Sequence, residues 1–366
     1  MQRIIFTVTN DLNYDQRMQR ICTSLAIAGY DVLLVGRKMK NSIPLQQQIF
    51  AQKRLPCFFQ RSLLFYAEFN LRLFFRLLFK KTDAICAIDL DTILPVYFVS
   101  AIRGKKRIYD AHELFTEQKE IVTRPAVHRT WLAIERFAVP KFRNGYTVNE
   151  FIVQELNKRY EVQYGLVRNL PKFVELPQDS NPLHKEKFLI YQGAVNEGRG
   201  FETLIPAMKN VNCTLRIFGQ GNFFEEAKKL ISKYQLEDKV ILEGPVLPAD
   251  LKKITPQAYL GIMIFENEGM NQYQSLSNRF FDYIMAGIPQ LCVAYPEYKK
   301  INDQYHIAYM IDDINIESIE KALNTILSDE AGYSVIRENC LRASTELNWE
   351  KEEKKLGDLY FQFLKK

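Results

Sequence analysis

Short runs of consecutive apolar residues alternate along this chain with longer stretches in which apolar positions recur every three or four residues. The first pair is RIIFTVT, residues 3–9, and a helical pattern from Tyr14 to Ala28 that Gly29 closes; DVLLVG at 31–36 follows. Strand, helix and strand in that order predict a βαβ unit with a right-handed crossover. DAICAI (83–88), KRIYD (106–110) and GYTV (145–148) are further strand candidates, each followed by a helical pattern. Around 170–187 the rhythm breaks, because prolines and turn residues replace any apolar period. It restarts with KFLIYQG (187–193), NCTLRIFG (212–219), KVILEG (239–244), AYLGIMIF (258–265) and QLCVAY (290–295). The pattern therefore predicts two α/β domains of doubly wound parallel sheet, 1–169 and 188–345, joined by a linker at 170–187. A helix at 346–366 carries Leu356, Leu359, Tyr360, Phe363 and Leu364 on one face. Two such domains are expected to face a cleft at the carboxyl ends of their strands.

A length of 366 residues suits two domains better than one core. With 47% hydrophobic and 25% charged residues, the composition is that of a soluble globular protein. The start, MQRIIFTVTNDLN, lacks the basic, apolar and small-residue regions of a signal peptide, so a cytoplasmic address is expected. Cysteines 22, 57, 86, 213, 292 and 340 are scattered without metal-ligand spacing and are read as reduced thiols. Charge is unevenly spread. Residues 1–170 hold 26 Lys and Arg against 15 Asp and Glu, a balance of +11, whereas residues 171–366 hold 23 against 28, a balance of −5. The basic half implies an anionic partner, and no nucleic-acid motif accompanies it. FFQRSLLFYAEFNLRLFFRLLFKK, 58–81, places Glu68, Arg72, Arg76 and Lys80 in a charged stripe on an aromatic and aliphatic helix. Two readings stay open, a helix buried in the α/β layer and a helix lying on an anionic membrane surface; the aromatic and basic stretch 124–143 favours the second.

Candidate chemistry lies in the loops of the second half. YQGAVNEGRGFETL, 191–204, sets Gly193, Gly198, Arg199 and Gly200 between a strand and a helix. Glycines there let a phosphate approach the backbone, and a helix N-terminus with an arginine favours an anion. IFGQG repeats the arrangement with Gly219 and Gly221, and YQSLSNRFFDYIMAGIPQ, 273–290, supplies a third polar helix start with Ser275, Asn278 and Arg279. An arginine in a first turn opposes the helix dipole unless an anion lies in front of it. On one continuous helix, Asp282 would share a face with Ser275 and reach hydroxyls of the same ligand. Asp89-Leu90-Asp91 has the look of a metal site, but Asp91 reads better as a helix cap, and no metal is assigned. His128, His184 and His306 are read as ordinary histidines.

Together, YQGAVNEGRGFETL, IFGQG and NQYQSLSNRFFDYIMAGIPQ closely resemble the second domain of GT-B-fold glycosyltransferases of the family 4 type, retaining enzymes of bacterial polysaccharide assembly that use nucleotide sugars. TNDLNYDQRMQRICTSLAIAGYDVLLVGR, AIDLDTILP, YDAHELFTE and YTVNEFIVQEL extend the resemblance through the first half. It implies a nucleotide-diphosphate sugar as donor substrate, no cofactor, and a glycan or lipid-linked sugar as acceptor. It also implies that Arg199 holds the donor diphosphate, with Arg279 sharing the load because Ala194 stands at a position that is often basic. Asp282 falls where the family holds the ribose, and Gln274 where a glutamate holds the sugar; backbone groups at Ser275 and Leu276 are further candidates for that contact. His112, followed by Glu113, matches a cleft-facing histidine that touches the donor sugar. Asn10, Asn13 and Asp15 match a loop facing donor and acceptor. The last helix is expected to pack back on the first domain. A nucleotide-sugar epimerase of the same fold and a catalytically inactive nucleotide-sugar-binding partner are the alternatives.

Overall fold

The computed structural model describes residues 1–176 and 187–365; residues 177–186 of the expected linker, His184 among them, lie outside the described residues. The chain forms two compact units, one of residues 1–169 with the chain end from Glu352, the other of Leu170–Lys351.

Seven parallel strands make the sheet of the first unit: β1 Arg3–Thr7, β2 Asp31–Lys38, β3 Ala51–Pro56, β4 Ala84–Ile88, β5 Lys106–Ala111, β6 Asn144–Thr147 and β7 Gly165–Leu166. Their order is β3-β2-β1-β4-β5-β6-β7, the doubly wound arrangement in which the chain reverses direction beside β1. Both faces of the central strands are covered, so every residue of β4 is buried, which is why AICAI reads as an unbroken apolar run. The helix Ser62–Leu78 turns Phe65, Phe69, Leu73 and Leu77 into this core. It nevertheless leaves Leu63, Leu64, Leu71 and Phe75 exposed. Burial and exposure thus both apply to one helix. Glu68 does not extend a solvated stripe: it accepts from the Phe58 and Phe59 amides and pairs with Arg72 at 2.8 Å. The final helix, Trp349–Leu364, buries Leu356, Tyr360 and Leu364, and its Tyr360 ring lies 5.9 Å from Phe6 and 6.0 Å from Tyr146.

A second parallel sheet follows, with β8 Phe188–Gln192, β9 Thr214–Phe218, β10 Val240–Gly244, β11 Leu260–Met263, β12 Gln290–Val293 and β13 Ala308–Ile311 in the order β10-β9-β8-β11-β12-β13. β8 again sits at the reversal point, so the loops leaving β8, β9 and β11 converge at its carboxyl end. All six cysteines are free thiols. Among the described residues, no helix is long and apolar enough to cross a membrane.

Candidate functional site

In the second domain the site starts where β8 ends. Gly193 has φ +128° and nothing within 4 Å of where a Cβ would stand, so backbone and open space meet there. Gly198 and Gly200 both take φ +73°, and Gly200 caps the short helix Phe201–Ala207. Between them Arg199 is half-buried and forms no hydrogen bond or ion pair with any described residue. Gly219 and Gly221 have a different reason to be glycine. A Cβ on Gly219 would stand 1.7 Å from the Gly193 carbonyl oxygen, and one on Gly221 would stand 2.2 Å from that of Val195. The two loops are zipped together by Val195 N–H to the Gln220 carbonyl at 3.2 Å and Phe223 N–H to that of Val195 at 3.0 Å. Loop packing therefore accounts for these two glycines without a ligand.

The stretch 273–290 differs from the single helix its pattern suggests. A short helix, Met270–Tyr273, ends with Gln274 at its cap, and a second begins at Asn278 and runs to Met285. Ser275 lies in the break, its hydroxyl bonded to the Gln272 carbonyl at 2.8 Å, so it does not share a helix face with Asp282. Tyr298 Oη holds the Ser277 amide at 2.8 Å and fixes where the second helix starts. Leu276 packs against the core, and Asn278 is exposed at the helix opening. Arg279 turns inward: it is 7% exposed, with its guanidinium 4.1 Å from the centre of the Tyr191 ring and Nη1 donating to the Gln192 carbonyl at 3.3 Å. Its Nε lies 3.3 Å from Met263 Sδ, and no described carboxylate pairs with it. Asp282 meets the same strand end through Gln192 Nε2 at 3.4 Å. Arg279, Asp282 and Gln192 are thus gathered at the carboxyl end of β8, from which the Arg199 loop departs. Glu268, which the sequence did not single out, reaches into that loop, since a Cβ on Gly198 would lie 2.5 Å from its carboxylate.

In the first domain, His112 follows β5 at the centre of a paired cluster. Asp89 Oδ1 accepts its amide at 2.8 Å, and Asp89 Oδ2 lies 3.4 Å from Nδ1. Asp110 Oδ2 lies 3.4 Å from Nε2, and Arg17 binds Asp110 Oδ1 at 2.8 Å while its Nε approaches His112 Nε2 at 2.8 Å. Burial works against an imidazolium, but Asp89 and Asp110 outweigh it and raise the His112 pKa to about 9. Protonation of Nε2 would displace the Arg17 donor and turn the ring toward Asp110 Oδ2, which has no other hydrogen bond. Burial also pushes Asp89 up to about 6 and Asp91 to about 7, the latter with help from Asp89. Asp110 moves the other way: burial raises it, but Arg17 and His112 prevail and hold it below the usual carboxylate range. Asp89 has φ +53° and ψ 178°, a conformation that only glycine adopts without strain, worth about 1–3 kcal/mol. Asp91 is not a helix cap, because Thr92 opens the helix Ile93–Ile102 and the Asp91 carboxylate accepts from Thr9 Oγ1. Among the described residues no three His, Cys, Asp or Glu side chains are arranged to hold a metal ion.

The loop after β1 is occupied with its own construction. Asp15 caps the helix Gln16–Ile27 by accepting from Met18 N–H at 3.0 Å and also takes a hydrogen bond from Asn10 Nδ2 at 3.0 Å. Asn13 donates to the Pro44 carbonyl at 2.8 Å and accepts from Gln46 N–H at 3.2 Å. Asn10 is exposed, as is Glu113, whose carboxylate accepts from Gln118 Nε2 at 2.9 Å. Arg17 and Asp110 escaped the sequence reading, although Asp110 precedes His112 by two and Arg17 lies on the core face with Ile21 and Leu25.

Residues 173–343 match the protein family described as "Glycosyl transferases group 1". The fold matches that of sucrose-phosphate synthase from Thermosynechococcus elongatus with a TM-score of 0.79 at 17% identity, covering 99% of each chain. HepE of Anabaena, solved with UDP-glucose, matches with a TM-score of 0.77 at 12% identity over 99% of this chain and 100% of that one. WaaG, a glycosyltransferase involved in lipopolysaccharide biosynthesis, gives 0.75 at 15% identity over 97% and 99%. Among curated proteins, a pentatricopeptide repeat-containing protein of Arabidopsis thaliana is 26% identical over 104 residues, 25% of this chain. The chain spans 13% of that protein's length, and so short a likeness carries no argument about fold or function.

Proposed function

We propose that this chain, a GT-B-fold glycosyltransferase whose residues 173–343 form a group 1 glycosyl transferase domain, moves a sugar from a nucleotide-diphosphate sugar to a glycan or lipid-linked acceptor, with retention, in cell-surface polysaccharide synthesis. The observation that carries this reading is the pair of arginines in the second domain that have no carboxylate partner among the described residues, Arg199 in the loop leaving β8 and Arg279 against Tyr191. A nucleoside diphosphate leaving an anomeric carbon gains negative charge on its oxygens. Cations already fixed in place stabilise that charge more in the transition state than in the substrate. Gly193 gives the diphosphate room at the backbone, and Asp282, held by Gln192, accepts from the ribose hydroxyls. His112 binds the donor sugar, and Gln274 with the backbone near Ser275 and Leu276 supplies its remaining hydrogen bonds. These groups do the work without a cofactor.

The solved complexes of HepE with UDP and with UDP-glucose make uridine diphosphate sugars the first donors to try. The exposed leucines and Phe75 of helix Ser62–Leu78, beside Arg72 and Arg76, suit an enzyme that works at the inner face of a membrane. The test is a panel of UDP, GDP and other nucleotide sugars, with and without membrane lipid acceptors. Nucleotide release that requires an acceptor is expected. An epimer formed without acceptor assigns the epimerase reading, and bound nucleotide that no donor or acceptor turns over assigns a binding role.

A further inference from the structure

A groove of about 480 Å³ opens in the first domain between the edge strand β3 and the helix Ser62–Leu78. Leu55 and Pro56 line it from the strand, and Phe75, Phe79 and three cations, Arg72, Arg76 and Lys80, from the helix and its end. The cations are not equivalent. Arg72 is paired with Glu68, whose carboxylate also accepts from the Phe58 and Phe59 amides. The side chains of Arg76 and Lys80 form no hydrogen bond or ion pair with any described residue, and no acidic residue lines the groove. Arg76 stands in the last turn of the helix, where the negative end of the dipole favours a cation. That accounts for positive charge at the helix end, but not for the apolar rings left open beside it.

Phe79 is 81% exposed and Phe75 53%, and Leu71 and Leu64 are exposed as well. Positions 64, 71, 75 and 79 recur at helical spacing, so these four side chains make one outward row. Arg72, Arg76 and Lys80 each follow a member of that row by one residue and run beside it as a row of cations. Folding gains nothing from large apolar side chains left in water. An amphiphile would cover both rows at once, the rings with its chains and the cations with its head group. A second copy of this chain fits less well, because a twofold contact sets the same patch on both sides and brings the unpaired cations together.

We infer that the groove takes the phosphate of an anionic phospholipid at Arg76 and Lys80, with Phe75 and Phe79 entering the acyl layer. The inference rests on the proposed membrane-facing role of this helix and adds a head-group site to it. Attachment then depends on two particular cations and two rings, and only secondarily on the positive balance of the first half. Arg72 lines the groove with its charge already met by Glu68.

Co-sedimentation of the full-length protein with phosphatidylcholine vesicles, plain or carrying phosphatidylglycerol, is the test. Wild-type protein is expected to bind the vesicles that carry phosphatidylglycerol and to leave the plain ones. Arg76→Gln with Lys80→Gln should weaken that binding about thirtyfold at low salt. Lys158→Gln with Lys354→Gln removes the same charge from residues that do not line the groove and should weaken it less than about threefold. Phe75→Ser with Phe79→Ser should also weaken it, with a loss that persists at high salt, where the effect of the cations fades. UDP affinity is expected to be unchanged in every variant. Equal losses for the two charge pairs overturn the head-group site and leave the membrane reading standing. Wild-type protein that binds neither vesicle overturns both. A dimer that Phe75→Ser with Phe79→Ser dissolves assigns the row to a second copy of the chain and overturns the inference.

Discussion

The two sheets carry opposite electrostatic arrangements at the carboxyl ends of their central strands. In the first domain Arg17, Asp110, His112 and Asp89 pair with one another within 3.4 Å. In the second domain Arg199 and Arg279 have no carboxylate partner among the described residues, and Arg279 is nevertheless buried against an aromatic ring. A cluster whose charges compensate one another holds its members in position and resists change. Unpaired cations leave their charge for a ligand. The first arrangement suits orienting a neutral sugar, and the second suits taking up a diphosphate.

The largest effect expected from this contrast is on stability. Arg17→Ala leaves Asp110 buried and uncompensated, which should destabilise the protein by about 3–5 kcal/mol in urea unfolding. Arg279→Met removes a buried charge that no carboxylate needs, so a change within about 1 kcal/mol is expected. Equal losses for the two would erase the contrast. Next in size is ligand affinity: Arg279→Met should weaken binding of a nucleoside diphosphate by about 1.5–3 kcal/mol while the fold holds. The smallest effect concerns pH. His112 has a raised pKa, so its contribution is complete below the ordinary value near 6.5 and is lost as pH rises through about 9. Asp89 and Asp91, also raised, make stability fall from about pH 4 toward their values of about 6 and about 7. His112→Gln should flatten the decline above pH 6.5 and, because the imidazolium also lowers Asp89 and Asp91, deepen the fall between about pH 4 and about pH 7. A decline of unchanged steepness would mean that the ring does not hold its proton as its carboxylates require.

The pattern of the sequence showed the buried strands and the edge strand β10, and missed the other three sheet edges. RIIFT and AICAI are covered on both faces and so carry continuous apolar runs. β3 (AQKRLP), β7 (two residues) and β13 lie at the edges, where half-exposed or very short strands have no such signature. Helical spacing from Tyr273 onward hid a break, because side-chain bonds from Ser275 and Tyr298 end one helix and start the next. Arg199 was readable from the glycines around it. Gly219 was readable as a special position but not for its reason, since its contact with Gly193 comes from a loop 26 residues away. Arg37 appeared only as part of the basic excess of the first half, and Arg61 and Arg124 only within the basic and aromatic stretches 58–81 and 124–143, because only the fold brings three distant arginines to one pocket of the first domain.

Calorimetric titration of UDP and the other nucleoside diphosphates into wild-type and Arg199→Ala protein tests most directly that the unpaired cations of the second domain receive the donor diphosphate. The account predicts that the substitution weakens binding by at least about 1.5 kcal/mol, roughly tenfold or more, with the unfolding midpoint unchanged. Equal affinity in the two proteins would contradict it.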